Sequence, residues 1–194
     1  MSGIHEPIAI FNSWFSEVLA CEHIKEKYAV CLATSTPKGV PSNRIVLVKT
    51  FDDNGFIFYT NCSSRKGQEL TDNPYASLCY FWDLLDKQVR VEGKIERVSQ
   101  EVAAEYFNSR DINSRIGAWA SKQSQPLASS EKFMQEFDSY SEKFGTNPPK
   151  PDFWHGFRLI PEKIEFWSRG DFRLHRRELF IKKDKSWEKA LLYP

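Results

Sequence analysis

The sequence predicts a mainly β protein with added helices (α+β), built as an antiparallel barrel decorated by helices. Strand-like runs dominate the chain, and most connections between them are too short for the helical crossovers that parallel strands need. Two β-rich runs, Arg44 to Phe51 and Phe56 to Thr60, flank the turn from Asp52 to Gly55. The Asn-Gly pair in that turn is a strong short-range hairpin signal. An antiparallel architecture is therefore favoured over a doubly wound parallel sheet.

The other elements follow from hydrophobic period and from capping residues. Apolar side chains at helical spacing predict a helix over residues 7–22. Ser64 is placed to cap a short helix from Arg65 to about Thr71. The remaining predicted strands are Tyr28 to Thr34, Tyr75 to Trp82, Gln88 to Val98, Phe153 to Ile160, Ile164 to Ser168, Phe172 to Ile181 and Trp187 to Leu192. Two further helical segments are predicted, at residues 99–121 and 131–144, and the second part of the first segment runs from Ser114 to Ser121.

Length and composition fit one folded unit. The 194 residues, of which 41% are hydrophobic and 14% aromatic, are enough to bury a substantial core. We expect a single domain over residues 1–194, with the helical segments packed around the barrel. The formal net charge of +1 gives no overall field that would draw the protein to nucleic acid or to acidic membranes, so we expect neither as a partner.

Targeting and redox signals predict a cytoplasmic protein. Residues 1–7 lack the basic region and long apolar run of a secretory signal, and no apolar stretch approaches membrane-spanning length. The four cysteines are widely spaced and form no C-x-x-C pair, which predicts reduced thiols instead of disulfides or a zinc site. His5, His23 and His155 lack partners at metal-ligand spacing, so we expect no metal.

The central hairpin carries cations that predict a site for a phosphorylated ligand. Arg44 and Lys49 bracket an apolar run, and polar residues follow from Tyr59 to Lys66. Residues an odd number apart point to opposite faces of an unbulged strand, so Arg44 and Lys49 should diverge. They would then serve two anionic groups, or one such group and a subunit interface. The alternative is a solvated edge hairpin with ordinary surface cations.

Tyr106 and Arg110 form a second candidate cluster. Positions four apart share a helix face, so this phenol and this guanidinium can meet one oxyanion. Ser114 joins them if residues 111–113 do not break the helix. Taken alone, such a pair is more often an ordinary surface contact.

Arg173, His175 and Arg177 form a third cluster. On a strand they would line one face, and three neighbouring cation-capable groups need an anionic or aromatic partner. A basic edge strand that discourages aggregation is an equally good alternative. The chain contains no G-x-G-x-x-G, P-loop, H-E-x-x-H or G-x-S-x-G motif. Residue chemistry therefore predicts a β-rich protein that binds a phosphorylated, planar molecule.

In this order, the clusters resemble the pyridoxamine 5′-phosphate oxidase family from about Pro7 to Pro194. Each motif is weak alone, and the ordered set is specific. The motifs are Arg-Ile-Val-Leu-Val-Lys at 44–49, Phe-Tyr-Thr-Asn at 58–61, Ser-Arg-Lys at 64–66, Gln-Val at 88–89, Tyr-Phe-x-Ser-Arg at 106–110, Ile-Gly-Ala-Trp at 116–119, Ser-Lys-Gln-Ser at 121–124, Glu-Phe-Trp at 165–167 and Arg-Leu-His at 173–175.

The resemblance implies an FMN-binding split antiparallel β-barrel of the Greek-key type, forming a homodimer with FMN at the subunit interface. The implied cofactor contacts are Arg44, Ile45, Val46, Leu47, Val48, Lys49, Tyr59, Thr60, Arg65, Lys66, Gln88, Gln123, Ser124, Trp167 and Arg177. The implied substrate contacts are Lys49, Tyr106, Arg110, Ser114, Arg173 and His175, of which Arg173 and His175 are the catalytic candidates.

The implied reaction belongs to vitamin B6 metabolism. It oxidises pyridoxamine 5′-phosphate or pyridoxine 5′-phosphate to pyridoxal 5′-phosphate, with hydride transfer from C4′ to flavin N5 and reduction of O2 to H2O2. The alternatives are a split-barrel flavoenzyme with another substrate, such as a phenazine-pathway oxidase, and a non-catalytic FMN or pyridoxal phosphate binding protein.

The chain departs from the family pattern in three places. It starts almost at its first predicted helix, without the basic N-terminal extension that can fold over the substrate in relatives. It has Arg176 where the family usually has an acid. Strand alternation would turn Arg176 away from the site, so we expect a changed salt bridge. The ending Leu-Leu-Tyr-Pro replaces the family's common Arg-Leu-Ala-Pro.

Overall fold

Eight antiparallel strands form one sheet, and six of them close into a barrel. The structure is a computed structural model and describes residues 6–184 and 186–194, so the expectations for residues 1–5, including His5, lie outside the described residues. The strands are β1 (Ala29–Ser35), β2 (Pro41–Asp52), β3 (Gly55–Asn61), β4 (Tyr75–Trp82), β5 (Lys87–Arg97), β6 (Trp154–Ser168), β7 (Arg176–Lys183) and β8 (Ser186–Leu192). Their order is β3-β2-β1-β4-β5-β6-β7-β8, and a further β3–β6 pairing closes the barrel. The predicted split-barrel, α+β fold is confirmed.

Five helices accompany the barrel in the described residues. Side-chain caps fix where four of them begin: Ser64, Ser99, Asp111 and Ser129 each accept a hydrogen bond from a backbone N–H three residues on. The predicted Ser64 cap is therefore confirmed. The helices are α1 (Glu6–Ala20), α2 (Arg65–Asp72), α3 (Gln100–Ser109), α4 (Ile112–Ala120) and α5 (Ser130–Phe144).

The predicted central hairpin is present. Strand β2 ends at Asp52, whose Oδ1 accepts hydrogen bonds from the N–H groups of Asn54 (2.8 Å) and Gly55 (3.1 Å). Gly55 has φ +132°, and a Cβ at this position would lie 2.1 Å from the Leu159 carbonyl oxygen on β6. Glycine is therefore required where β3 leaves the turn and meets the strand that closes the barrel.

Strand β6 is continuous from Trp154 to Ser168, so the prediction of two separate strands there is wrong. Pro161, in the gap between the two predicted strands, lies opposite Gly93, and the next pair in register is Lys163 with Glu92. Glu162 is thus the extra residue of a β-bulge. A bulge accommodates a proline inside a sheet because the ladder is already interrupted there.

The prediction of a strand from Phe172 to Ile181 is wrong in its first four residues. Phe172 and Arg173 have φ values of 54° and 66°, in the left-handed region that a strand excludes. They belong to a short 3₁₀ turn, closed where the Leu174 N–H donates to the Asp171 carbonyl at 2.9 Å. Strand β7 begins only at Arg176, so the predicted alternation of Arg173, His175 and Arg177 on one strand face does not occur.

One core joins the barrel interior to helix α1. Phe11 is completely buried, and its ring lies 4.9 Å from both Phe51 and Phe56 and 5.2 Å from Tyr80, in edge-to-face contacts. Edge-to-face aromatic pairs add to the free energy of burial because the positive ring edge meets the negative ring face. The helix therefore anchors the central hairpin to β4.

Two further findings concern the described residues. No helix among them has the length and apolar composition needed to cross a membrane. All four cysteines are free, as predicted.

Replacing Phe11 with alanine should lower the free energy of unfolding by about 3–5 kcal/mol, because the substitution leaves a cavity among rings that cannot close around it. Urea unfolding measures the loss. Leu19→Ala is the control in the same helix: Leu19 is 44% exposed, and its replacement should change stability by less than about 1 kcal/mol. Equal losses in the two variants would contradict the assignment of Phe11 to the core.

Candidate functional site

A cleft of about 330 Å³ lies between the edge of the barrel and helices α3 and α4. It gathers residues that are far apart in the sequence, because β2, β3 and the start of β6 meet the two helices there. The lining residues are Ile45, Val46, Leu47, Tyr59, Thr60, Asn61, Lys66, Tyr106, Arg110, Ser114, Gly117, Ala118, Ser121, Gln123 and Trp154. Ten of the predicted site residues are therefore brought together in one cavity.

Lys66 is a buried cation in the first turn of α2. It is only 8% exposed, and its Nζ donates to Gln123 Oε1 (3.0 Å) and Thr60 Oγ1 (3.3 Å). Its third contact, with Ser64 Oγ, is also neutral, so no described hydrogen-bond partner of this ammonium is a carboxylate. Burial, with a smaller effect from the nearby positive charge of Arg44, lowers the pKa of Lys66 to about 8. The site thus holds a charge that a bound anion would stabilise.

Arg44 lies beside this lysine and is held by a buried carboxylate. Its guanidinium donates to Thr34 Oγ1 and Ser42 Oγ at 2.5 Å each and lies 3.4 Å from Glu69 Oε2. Glu69 also binds Arg65, four residues earlier on α2, at 2.9 Å. Burial alone would raise the pKa of Glu69, but hydrogen bonds from Ser42, Thr34 and Arg65 outweigh it and lower the pKa to about 2.

The predicted divergence of Arg44 and Lys49 is confirmed. Residues of even number from Ser42 to Val48 lie on the more buried face of β2, and those of odd number lie on the exposed face. Lys49 is exposed, with its Nζ 5.8 Å from the centre of the Tyr28 ring. Lys49 is not among the residues that line the cleft, whereas Tyr106, Arg110 and Ser114, which were predicted to share a ligand with it, all line it.

Three parallel aromatic rings form one wall of the cleft. The rings of Tyr59 and Tyr106 stack at 3.9 Å, and Trp154 lies 5.2 Å from Tyr59 on a nearly parallel plane. Gly156 permits this packing, since a Cβ there would lie 2.6 Å from the Tyr59 ring. Burial, followed by the neighbouring Tyr106, raises the pKa of Tyr59, so its hydroxyl stays protonated and can donate a hydrogen bond.

Arg110 carries a buried donor that has no partner among the residues that the structure describes. Its Nη1 atom is inaccessible to solvent and makes no hydrogen bond there. Burial is the main cause that lowers the pKa of this guanidinium, which packs 5.3 Å from the ring centre of Trp154. Buried polar groups are nearly always hydrogen-bonded, so this donor is an indication that a ligand binds here.

The predicted helical spacing of Tyr106, Arg110 and Ser114 is wrong, although all three line the cleft. Helix α3 ends at Ser109, and Arg110 has an extended backbone with ψ 154°. Asp111 then caps α4, accepting the Ser114 N–H at 2.8 Å. The break between the two helices, and not a shared helix face, directs these side chains into one cavity.

A second set of predicted residues lies elsewhere on the sheet, and we call it the C-terminal cluster: Gln88, Trp167, His175 and Arg177. Gln88 pairs with Trp167, and Trp167 pairs with Arg177, so the three form a row across β5, β6 and β7. The His175 ring lies 4.7 Å from Trp167, and its Nδ1 accepts the Gly170 N–H at 3.3 Å. None of the four lines the cleft of the same chain.

Arg177 in this cluster is fixed by a buried acid. Glu165, which is 5% exposed, accepts from Arg177 Nε at 2.8 Å and lies 3.4 Å from Arg90. Arg173 differs, because its side chain is exposed in the turn before β7. Arg176 pairs with Glu178 at 2.5 Å on the other side of the strand, in agreement with the expected change of salt bridge.

Two other predicted contacts lie outside the cleft lining. The Val48 side chain is buried in the barrel core, so only its backbone remains for a ligand. Ser124 follows Gln123 with φ 72° and does not line the cleft.

Two important residues were missed by the sequence reasoning. Trp154, interpreted as packing, lies in the aromatic wall, and its neighbour Gly156 was the available signal. Glu69 was not singled out, although its spacing of four from Arg65 on a predicted helix was visible. Its contacts with Thr34 and Ser42 are long-range and could not be read from the sequence.

Two family models together match the chain from residue 19 to residue 194. The model described as pyridoxamine 5′-phosphate oxidase matches residues 19–167. The model described as pyridoxine 5′-phosphate oxidase C-terminal dimerisation region matches residues 154–194, which include three of the four residues of the C-terminal cluster.

Similar curated proteins span nearly the whole chain. A pyridoxine/pyridoxamine 5′-phosphate oxidase of Trichormus variabilis is 46% identical over 97% of this chain and 88% of its own length. A probable pyridoxamine 5′-phosphate oxidase of Schizosaccharomyces pombe is 45% identical over 97% of this chain and 85% of its own.

Solved structures share the fold. PhzG from Burkholderia lata, in complex with tetrahydrophenazine-1-carboxylic acid, superposes with a TM-score of 0.91 at 29% identity, covering 97% of this chain and 92% of that one. A pyridoxamine 5′-phosphate oxidase-related, FMN binding protein from Nostoc punctiforme gives a TM-score of 0.77 at 19% identity over 95% and 97%. The second likeness concerns the fold alone.

Replacing Lys66 with methionine should change how stability depends on pH. The folded wild type has a buried ammonium below its pKa of about 8, whereas the unfolded lysine stays protonated up to 10.5. The cost of the buried charge is therefore present at neutral pH and disappears as the pH rises from about 8 towards 10.5. The variant lacks that cost at every pH, so its advantage over the wild type should shrink by roughly 1–2 kcal/mol between about pH 7 and about pH 9.5. Urea unfolding at the two pH values measures this, and a constant difference would contradict the assignment.

Proposed function

The chain belongs to the pyridoxamine 5′-phosphate oxidase family, and from this premise we propose that it oxidises pyridoxamine 5′-phosphate or pyridoxine 5′-phosphate to pyridoxal 5′-phosphate with FMN as cofactor. Membership rests on the family models over residues 19–194 and on relatives of about 46% identity. These matches make the chain an oxidoreductase of this family. We further propose that it is a single flavoprotein domain that binds FMN, acts on the phosphorylated vitamers and uses O2 as the electron acceptor.

Two separate positive niches are the observation that carries the proposal. One niche is formed by Lys66 with Arg44 and Arg65, and the other by Arg110. Lys66 and Arg110 both line the cleft that contains the three stacked aromatic rings. A flavin phosphate and a substrate phosphate each need such a niche, while their two rings must stack directly on each other so that a hydride can pass between them. A ligand with a single anionic group would leave one buried cation without a partner, at a cost in free energy.

The cofactor niche fits a phosphate because Lys66 has only neutral partners. Charge-assisted hydrogen bonds to a phosphate oxygen would replace the weaker bonds to Gln123 and Thr60. Tyr59 and the backbone of residues 45–47 line the path from this niche along the cleft. We assign FMN to this half, with contacts from the predicted cofactor residues that lie here.

The substrate niche is formed by Tyr106, Arg110 and Ser114. The unpartnered Nη1 of Arg110 supplies a donor in a desolvated position, and such bonds to a charged group contribute about 1.5–3 kcal/mol each. Lys49 does not line the cleft, but it follows Ile45 and Leu47 on the exposed face of β2, and we assign it to the same phosphate.

A homodimer would complete the site. The C-terminal cluster lies outside the cleft of its own chain, and it falls largely within the dimerisation region that the family model describes. The exposed face of β2 carries Ile45 (63% exposed) and Leu47 (43% exposed), apolar residues suited to an interface. We propose that the C-terminal cluster of one chain faces the cleft of its partner.

When bound, FMN would supply the acceptor for a hydride from C4′ and would pass the two electrons to O2, giving H2O2. The alcohol substrate would also lose its hydroxyl proton, whereas the amine substrate would take up water and release ammonia to give the aldehyde. The residues of this chain position and polarise the substrate. We assign Arg173 and His175 to the face of the pyridine ring. Because the Gly170 N–H donates to His175 Nδ1, the neutral ring carries its proton on Nε2, where it can donate to a substrate oxygen or nitrogen.

Anaerobic mixing with pyridoxine 5′-phosphate tests the function. The purified, FMN-loaded protein should lose its flavin absorbance, and admission of air should restore the absorbance and release H2O2. Unphosphorylated pyridoxine is the matched control and should react far more slowly. Tetrahydrophenazine-1-carboxylic acid, the compound bound to PhzG, tests the second candidate, which the likeness to PhzG favours. Bleaching by that acid and not by the vitamer phosphate would refute the proposed substrate.

Arg110→Ala should raise KM for pyridoxine 5′-phosphate by roughly 10–100-fold with little change in kcat, because the lost bond stabilises the ground and transition states alike. Steady-state peroxide production measures both constants. Arg97→Ala is the control, since Arg97 is an exposed arginine outside the cleft. A fall in kcat at unchanged KM would contradict the phosphate role.

Mixing Arg110→Ala and His175→Ala subunits tests the shared site. Random exchange makes half of the dimers mixed, and each mixed dimer has one site with neither change, so kcat/KM should recover to about a quarter of the wild-type value. Each variant alone should stay near its own low value. If mixing gives no recovery while subunit exchange is verified with tagged chains, Arg110 and His175 act within one chain.

A further inference from the structure

We propose that Glu69 is a positioning residue for the flavin phosphate: it holds the guanidinium groups of Arg44 and Arg65 in place near Lys66 before the cofactor binds. This inference rests on the proposed function, because it concerns the phosphate niche of FMN. Glu69 itself would not touch the cofactor. It would act through the two arginines.

Glu69 is the single described carboxylate that contacts both arginines of this niche. It is 5% exposed on helix α2, where Oε1 accepts from Arg65 and Oε2 faces Arg44. Lys66 lies between Arg65 and Glu69 in the sequence and directs its ammonium into the cleft. One side chain therefore fixes both arginines that accompany the lysine in this niche.

The hydroxyl groups around Glu69 show how it orients Arg44. Thr34 and Ser42 each donate their hydroxyl hydrogen to Glu69 Oε2, at 2.5 Å and 2.6 Å. With that hydrogen committed, each hydroxyl has only lone pairs left, and these accept the two Nη groups of Arg44 at 2.5 Å. The carboxylate thus determines the direction of both hydroxyls, and the hydroxyls determine the plane of the guanidinium.

The charge balance of the niche points the same way. Three cations and one carboxylate leave an excess of two positive charges, which matches a phosphate that carries about −1.5 to −2 near neutral pH. Without Glu69 the buried Lys66, the half-buried Arg44 and the more exposed Arg65 would repel each other with no negative charge between them. Arg44 would then be free to turn away from Lys66 in the unliganded protein, and the cofactor would have to order it on binding.

A purely structural role is the alternative, because Glu69 also joins α2 to β1 and β2. Such a role predicts a general loss of stability that weakens every ligand of the cleft equally. A positioning role predicts a loss that depends on the phosphate. Riboflavin, which shares the FMN ring and side chain but has no phosphate, separates the two.

Glu69→Gln keeps the size of the side chain and removes its charge. We would titrate apoprotein with FMN and with riboflavin and measure the two dissociation constants by quenching of flavin fluorescence. The variant should bind FMN at least about tenfold more weakly than the wild type, with riboflavin affinity changed less than about twofold. Glu178→Gln is the matched control, since Glu178 is also buried and paired with two cations, Arg176 and Lys189, outside this niche. It should leave both affinities unchanged.

Ser42→Ala provides a second variant if Glu69→Gln does not fold. It removes one hydroxyl between Glu69 and Arg44 and should weaken FMN binding by a smaller factor, again without affecting riboflavin. Unchanged FMN affinity in the folded Glu69→Gln protein, or equal losses for the two flavins, would overturn the positioning role. Should Glu69→Gln fail to fold, unchanged FMN affinity in Ser42→Ala would do the same. A wild type that binds FMN no better than riboflavin would instead refute the phosphate niche, and with it the proposed function.

Discussion

Buried positive charge without a matching negative charge is the constraint on which the rest of the structure depends. Lys66 is almost fully buried among neutral partners, and Arg110 has a buried donor with no partner among the described residues. A folded protein keeps such groups only if other contacts offset their desolvation. Their positions at one cleft, on α2 and at the α3–α4 break, indicate that anionic ligands supply the missing interactions. The desolvation of Lys66 and Arg110 therefore lowers the stability of the unliganded protein at the positions where we expect ligands to bind.

The barrel provides the rigidity that this constraint requires. Pairing of β3 with β6 closes the sheet, and the close approaches at Gly55 and Gly156 bring the cleft strands into contact without intervening side chains. The hydrogen bonds of Glu69 with Thr34 and Ser42 join α2 to strands β1 and β2, and Asp111 caps the N-terminus of α4 after the break that follows α3. Each cation is therefore carried on a short element whose end is fixed by a hydrogen bond, so its direction is set before a ligand arrives.

Local signals made much of this fold predictable, and long-range contacts account for what was not. The central hairpin, the Ser64 cap and the alternation that separates Arg44 from Lys49 depend on neighbouring residues only, and all three are as expected. Strand β6 was split wrongly because a proline reads as a break unless the bulge that absorbs it is visible. The turn at Phe172 and Arg173 was missed because neither residue is of a type, such as glycine or asparagine, that signals a left-handed backbone in the sequence. Most cleft residues were identified through resemblance to the family, whereas Glu69 required coordinates.

The candidate site residues divide into two sets, those near the cleft and the C-terminal cluster, which does not line it, and the proposed site for two phosphorylated rings would need both. The most direct test is a crystal structure of the protein with FMN and pyridoxal 5′-phosphate. We expect a dimer in which the flavin phosphate contacts Lys66 and Arg44, the second phosphate contacts Arg110, and His175 of the partner subunit lies beside the pyridine ring. A flavin phosphate bound away from Lys66, or a complete site within one chain, would contradict this view.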